Sequence, residues 1–173
     1  MTDITSISIL FIVSDDGLGQ TLVEYAEMLG WNVHCTPNHS QALQTAMRQR
    51  FDVIIIGSED GDGDGMQPAR AGNLRSNSQV LVDQLRSGDG PNQRAPLLVT
   101  SHSSSSETLI RIVQSGFDGC LPTPFGLNGL RDAVLEAIDE HAFISKSSRV
   151  THNPTASSDE KLTDQGQPKQ KAD

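Results

Sequence analysis

The sequence predicts an α/β fold, a doubly wound five-stranded parallel sheet, and three observations carry that prediction. Five short apolar runs, several rich in β-branched residues, are too brief to be helices. The segments between them place apolar residues at helical spacing. Glycines and polar clusters mark the boundaries. Strands that alternate with helices in this way form parallel sheets, and such sheets gather their working residues at the carboxyl ends of the strands.

The first run is Ile9 to Val13, closed by Asp15, Asp16 and Gly17. Leu18, Leu22, Tyr25, Ala26 and Leu29 then mark a helix, and Gly30 ends it as a left-handed cap. Trp31 to Cys35 is the second strand, with Trp31 at the edge of the core. Asn38 or Ser40 caps the next helix, which carries Ala42, Leu43, Ala46 and Met47 on one face. Val53 to Ile56 is the third strand and the most apolar stretch of the chain. From Gly61 to about Asn77 the period disappears, and Gly, Asn, Asp and Arg dominate. Val80, Leu81 and Leu85 restore helical spacing, and Gly88-Asp89-Gly90-Pro91 is a turn. Pro96 to Thr100 is the fourth strand. Ser104-Ser105-Ser106-Glu107 is a capping box for a helix bearing Leu109, Ile112 and Val113, ended by Gly116. Gly119-Cys120-Leu121 is the fifth strand, and Leu127, Leu130, Val134, Ala137 and Ile138 mark the closing helix. The folded domain is expected over 7–143, with an insertion at about 66–78 and a disordered polar tail over 144–173.

Composition narrows the function. The formal net charge of −9 disfavours nucleic acid, whose phosphates repel an acidic chain. No apolar run nears the roughly 20 residues that span a bilayer, and the first residues lack a signal peptide's basic start. A cytoplasmic protein without membrane contact is the expectation. Cys35 and Cys120 match no metal-ligand spacing and are expected to be small buried hydrophobes.

Four segments fall at the strand ends: Ser14-Asp15-Asp16, Gly57-Ser58-Glu59, Thr100-Ser101-His102 and Pro122-Thr123-Pro124. With Asp64-Gly65, Gly116-Phe117-Asp118 and Pro124-Phe125, they make the chain from about Ile7 to about Ala142 resemble the receiver domain of response regulators, which has the flavodoxin-like (CheY-like) fold. The resemblance implies a phosphorylation pocket, and the chain departs from it at most positions. The phospho-accepting aspartate aligns with Gly57. The acid pair that holds Mg²⁺ aligns with Ser14 and Asp15, followed by Asp16; a gapless count back from Gly30 gives Val13 and Ser14 instead. The phosphoryl-sensing hydroxyl aligns with Ser101, the lysine with Thr123 before Pro124, and the switch aromatic with Cys120. The X-Pro bond of this motif is usually cis in the family. Phosphoryl transfer needs an in-line nucleophile, a divalent ion and a cation. Gly57 and Thr123 supply neither the first nor the last. The pocket is therefore expected to be vestigial, with no catalytic residue and at most a weak Mg²⁺ site at Asp15 and Asp16.

The implied role is a stand-alone pseudo-receiver in two-component or phosphorelay signalling. It would bind a signalling protein such as a histidine kinase or regulator through the face formed by 106–115 and 126–138; a homodimer is the other assembly considered. Three alternatives remain open at this point. Asp15 and Asp16 either cap the first helix or, with the Asp60–Asp64 loop, hold a divalent cation. The Asp60-Gly61-Asp62-Gly63-Asp64-Gly65 spacing opens like a calcium loop, but its twelfth position is Ala71 and not a glutamate. Glu59 or Asp60 could act as a displaced phosphoacceptor, at the cost of in-line geometry. A hydrolase reading of Ser101-His102-Ser103 lacks the strained turn and the oriented base that a nucleophilic serine needs.

Overall fold

Strands and helices alternate throughout the computed structural model, which describes residues 6–57, 77–102 and 105–150. In chain order the elements are β1 (Ser8–Ile12), α1 (Asp16–Met28), β2 (Asn32–Thr36), α2 (His39–Arg48), β3 (Val53–Ile56), α3 (Asn77–Ser87), β4 (Leu97–Ser101), α4 (Ser106–Gln114), β5 (Gly119–Pro122) and α5 (Leu127–Val150). The sheet runs β2-β1-β3-β4-β5 with every pair parallel, the flavodoxin-like order.

Side-chain alternation along each strand builds two cores. Leu10, Ile12, Ile54, Ile56 and Leu97 point toward α2, α3 and α4. Ile9, Phe11, Val13, Val53, Ile55 and Leu121 point toward α1 and α5. All four residues of β3 are fully buried, which is why this strand reads as an unbroken apolar run. Each isoleucine there contributes about 1.5–3 kcal/mol relative to exposure. Asp52 pins the register of β3 against β1: its amide donates to the Ser8 carbonyl and its carboxylate accepts from the Ser8 amide, both at 2.8 Å.

The helix boundaries follow local chemistry. Asp15 caps α1, accepting from the Leu18 amide, and Asn38 caps α2, accepting from Ser40 and Gln41. Gly30 (φ +73°) and Gly116 (φ +89°) take left-handed conformations after α1 and α4. Ser105 caps α4 through the Thr108 amide, so the box predicted from Ser104 and Glu107 starts one residue later.

Several apolar helix residues are exposed, and one expectation about burial, that of the cysteines, needs correction. Of the three apolar residues that mark α4, Ile112 alone is buried; Leu109 is 42% and Val113 64% exposed. Helix α4 meets the sheet near its edge, so a stripe only one residue wide suffices to seat it. Met47 and Val80, among the residues that mark α2 and α3, are likewise 50% and 41% exposed. Cys35 is exposed and Cys120 half-buried rather than buried, because β2 and β5 are the two edge strands. Helix α5 continues to Val150, past the predicted domain end at 143; the rest of the tail and most of the 66–78 insertion lie outside the described residues.

Polar ties close the end of the sheet opposite the strand carboxyl termini. Asp118 accepts from the Leu97 amide at 2.7 Å and from the Arg86 guanidinium at 2.6 Å, while Arg86 also donates to the Gln93 and Ala95 carbonyls. Asn92, buried to 1% exposure, accepts from the Phe51 amide and donates to the Ala46 and Gln49 carbonyls. This one side chain joins the end of α2, the entry to β3 and the loop before β4.

Candidate functional site

The carboxyl ends of β1, β3, β4 and β5 bring the aligned residues to one edge of the sheet. Gly57 follows β3 directly and is buried. Its amide donates to the Ile12 carbonyl at 2.8 Å, which carries the pairing of Ile12 with Ile56 one step beyond the strands. The residue beside Gly57 is therefore Val13. A Cβ built at Gly57 would lie 3.1 Å from Val13 Cγ2 and 3.5 Å from the Ile12 carbonyl oxygen. A side chain at this position would emerge against a methyl group and not against a carboxylate.

The acids after β1 are turned to another task. Ser14 is exposed. Asp15 Oδ1 accepts from the Leu18 amide at 2.9 Å, and the Asp15 carbonyl accepts from Gly19 at 2.9 Å. Asp16 is the first residue of α1, where its charge favours the positive end of the helix dipole. Partial burial of the Cys35 thiol, which packs toward Gly19, pushes its pKa up, and the Asp16 carboxylate pushes in the same direction.

Helix-free ends of β4 and β5 supply the other half of the site. Ser101 pairs with Pro122 at the last rung of the ladder, and the Thr123 amide adds one more bond to the Ser101 carbonyl at 2.8 Å. Residues 102 and 123 thus leave the sheet side by side, and His102 Nδ1 and Thr123 Oγ1 share a hydrogen bond. On the strand below, the Ser101 hydroxyl is hydrogen-bonded to the Cys120 thiol. Burial raises the pKa of that thiol and the bond to Ser101 lowers it by less, so Cys120 stays a protonated, weakly nucleophilic thiol at neutral pH. The Thr123–Pro124 bond is cis, as the resemblance implies. Phe125, next in the chain, packs edge-on against Tyr25 of α1, with ring centroids 6.3 Å apart.

Neither the His102–Thr123 bond nor the Ser101–Cys120 contact follows from sequence spacing. The first is recoverable by extending the β4–β5 pairing one residue past Ser101 and Pro122; the second joins Ser101 to a residue two positions before its partner, which the pairing does not place opposite it.

Among the described residues no further acid joins Asp15 and Asp16 in a metal-binding group. Among the described residues no group of three His, Cys, Asp or Glu side chains could hold a metal ion, Asp15 is engaged as a cap, and Val13 flanks the acceptor position. The described residues alone do not complete a site for a divalent ion. Glu59, Asp60 and the rest of the Asp60–Asp64 loop lie outside the described residues. An open cleft of about 850 Å³ between α2 and α3, lined by residues such as Asn38, Leu43, Val80 and Gln84, includes none of the pocket residues.

No family model matches this sequence, and no curated protein matches it. Solved structures do. The chemotaxis response regulator CheY4 of Vibrio cholerae superposes with a TM-score of 0.62 at 20% identity, covering 77% of this chain and 99% of that one. The receiver domain of a sensor histidine kinase from Pseudomonas aeruginosa, solved with a magnesium ion in its active-site cleft, gives a TM-score of 0.57 at 21% identity over 78% of this chain and 99% of that one. An orphan response regulator of H. pylori gives 0.56 at 14% identity over 77% and 97%. The chain has the fold of CheY-like receiver domains. No helix among the described residues is long and apolar enough to cross a membrane.

Proposed function

We propose that this receiver fold works as a docking module in two-component signalling and is not phosphorylated at position 57. The observation that carries the reading is Gly57 itself, buried beside Val13, with no carboxylate at its side among the described residues. The pairing of β1 with β3 favours the gapless alignment, in which Val13 and Ser14 stand where a receiver has its acid pair. A divalent ion bridging both strands would then meet a methyl and a hydroxyl. Thr123 adds no positive charge for a transferring phosphoryl group, and its hydroxyl is already bonded to His102. A hydroxyl beside an imidazole is also the beginning of a nucleophile–base pair, but no third group orients His102 among the described residues, and catalysis needs one.

The partner is a signalling protein, and the favoured docking face is the one over 106–115 and 126–138. On α4, Leu109, Ile110 and Val113 share one helical face and are 42%, 58% and 64% exposed. Leu135 of α5 is exposed as well. A cluster of large apolar side chains on one helix is unusual for a surface with no partner, and groups of this kind mark interaction sites.

Two measurements test the reading. Wild-type protein incubated with acetyl phosphate and Mg²⁺ should show no added phosphoryl mass; a stoichiometric, base-labile adduct anywhere on the chain would refute phosphorylation-independent action. In affinity capture from the native cell, the Ile110→Glu/Val113→Glu double variant should lose the signalling protein that wild type retains. Equal retention by a variant with an unchanged unfolding midpoint would move the interface elsewhere.

A further inference from the structure

We propose that the His102–Thr123 hydrogen bond is a built-in tether that holds the β4–α4 loop against the β5–α5 loop and so fixes the start of α4 without any phosphoryl group. The inference rests on the docking reading above and adds how its face is kept in place.

The geometry points to a tether because the backbone delivers these two residues together and then separates them. Ser101 and Pro122 form the last parallel pair, and the Thr123 amide bonds the Ser101 carbonyl. Past that rung, one chain turns toward α4 on one face of the sheet and the other toward α5 on the opposite face. Any bond between 102 and 123 therefore crosses the point where the two connections diverge. His102 and Thr123 make that bond. The Ser101 hydroxyl also acts on the Cys120 thiol of the adjoining strand, two residues before its paired partner Pro122. In the receiver resemblance, the positions of Ser101 and Thr123 converge on a phosphoryl group. Here each is committed to a neighbour on the adjoining strand or loop.

The consequence falls on α4. Its cap, Ser105, lies three residues after His102, and its first bonds are the Thr108 amide to Ser105 Oγ at 3.2 Å and the Leu109 amide to the Ser105 carbonyl at 3.0 Å. A loop anchored at residue 102 limits where that cap can sit. Helix α4 needs such an anchor, because Ile112 is its one buried side chain. With the anchor in place, Leu109, Ile110 and Val113 face solvent in one arrangement, and a partner meets a surface whose ordering cost is already met.

Hydrogen–deuterium exchange on the full-length protein tests this without a partner. A single hydrogen bond at an exposed site shifts a local opening equilibrium by about fivefold. Thr123→Val and His102→Ala should therefore each speed exchange of the Thr108 and Leu109 amides by about fivefold. Thr123→Ser, which keeps the hydroxyl, should stay within about twofold of wild type. The Ile54, Ile55 and Ile56 amides should not change in any variant. Unchanged Thr108 and Leu109 rates in both Thr123→Val and His102→Ala would overturn the tether. So would a rise shared equally by Ile54 to Ile56, since the bond would then support the whole sheet and not one loop. The docking reading fails separately, by capture that ignores the α4 variant, so the two outcomes are distinguishable.

Discussion

Gly57→Asp should leave the protein unphosphorylated in acetyl phosphate and Mg²⁺, and should destabilise it. The variant restores the one residue whose absence is plainest, which makes it the severest test of the account. Three features oppose recovery. The new Cβ would lie 3.1 Å from Val13 Cγ2, so the neighbour must shift before the carboxylate can be seated. Overpacking of this kind costs about 1–3 kcal/mol. The strand beside it offers Val13 and Ser14, so a divalent ion would find a single protein carboxylate at that point. The position aligned with the lysine is Thr123, already bonded to His102, so this position brings no cation to the developing charge. Urea unfolding and intact mass measure the two effects on one sample. A stable variant that takes up one phosphoryl group would show that the acid alone suffices, and the roles assigned here to Val13 and Thr123 would fall.

The fold was legible because burial on both faces of a parallel strand leaves a mark that composition cannot hide. Ile54, Ile55 and Ile56 could occupy little but a central strand, and the order of the elements then followed from alternation. The Gly116-Phe117-Asp118 motif was legible for a structural reason. Gly116 takes a positive φ, Phe117 fills the core and Asp118 ties Arg86 to the start of β4. Such residues report the scaffold and are silent about chemistry. The site was only half legible. The lack of an acid at 57 is a fact of sequence, but which residue stands beside it depends on how β1 pairs with β3, and the sequence left two alignments open. The orientation of α4 was not legible, because helical spacing alone does not say which apolar face is inward. Leu109 and Val113 fit a core stripe as well as a docking stripe, and the difference lies in how close the helix sits to the sheet edge.

Asn92→Ala should cost about 3 kcal/mol of folding stability, more than its place in a polar loop suggests. Glycine, aspartate and proline around it give the segment 88–91 the look of an ordinary turn, and nothing in the spacing distinguishes Asn92 from its neighbours. Its surroundings do. The side chain is 1% exposed and makes three hydrogen bonds to backbone: from the Phe51 amide at 2.7 Å, and to the Ala46 and Gln49 carbonyls at 2.6 and 2.7 Å. Truncation leaves the Phe51 amide without its acceptor at the entry to β3, where Phe51 is itself 2% exposed. A buried donor left without a partner costs about 1–3 kcal/mol. Release of the Ala46 carbonyl, beside a fully packed face of α2, adds to this, while the Gln49 carbonyl lies near solvent and can be hydrated. Asn92→Asp separates the contributions, since it keeps the acceptor for Phe51 and loses both donors; it should fall between wild type and Asn92→Ala if the Phe51 bond dominates. Denaturant unfolding followed by circular dichroism reads all three proteins. A loss below about 1 kcal/mol in Asn92→Ala would mean that water or a neighbouring side chain replaces the amide, and the junction between α2, β3 and β4 would have to be held by apolar packing alone.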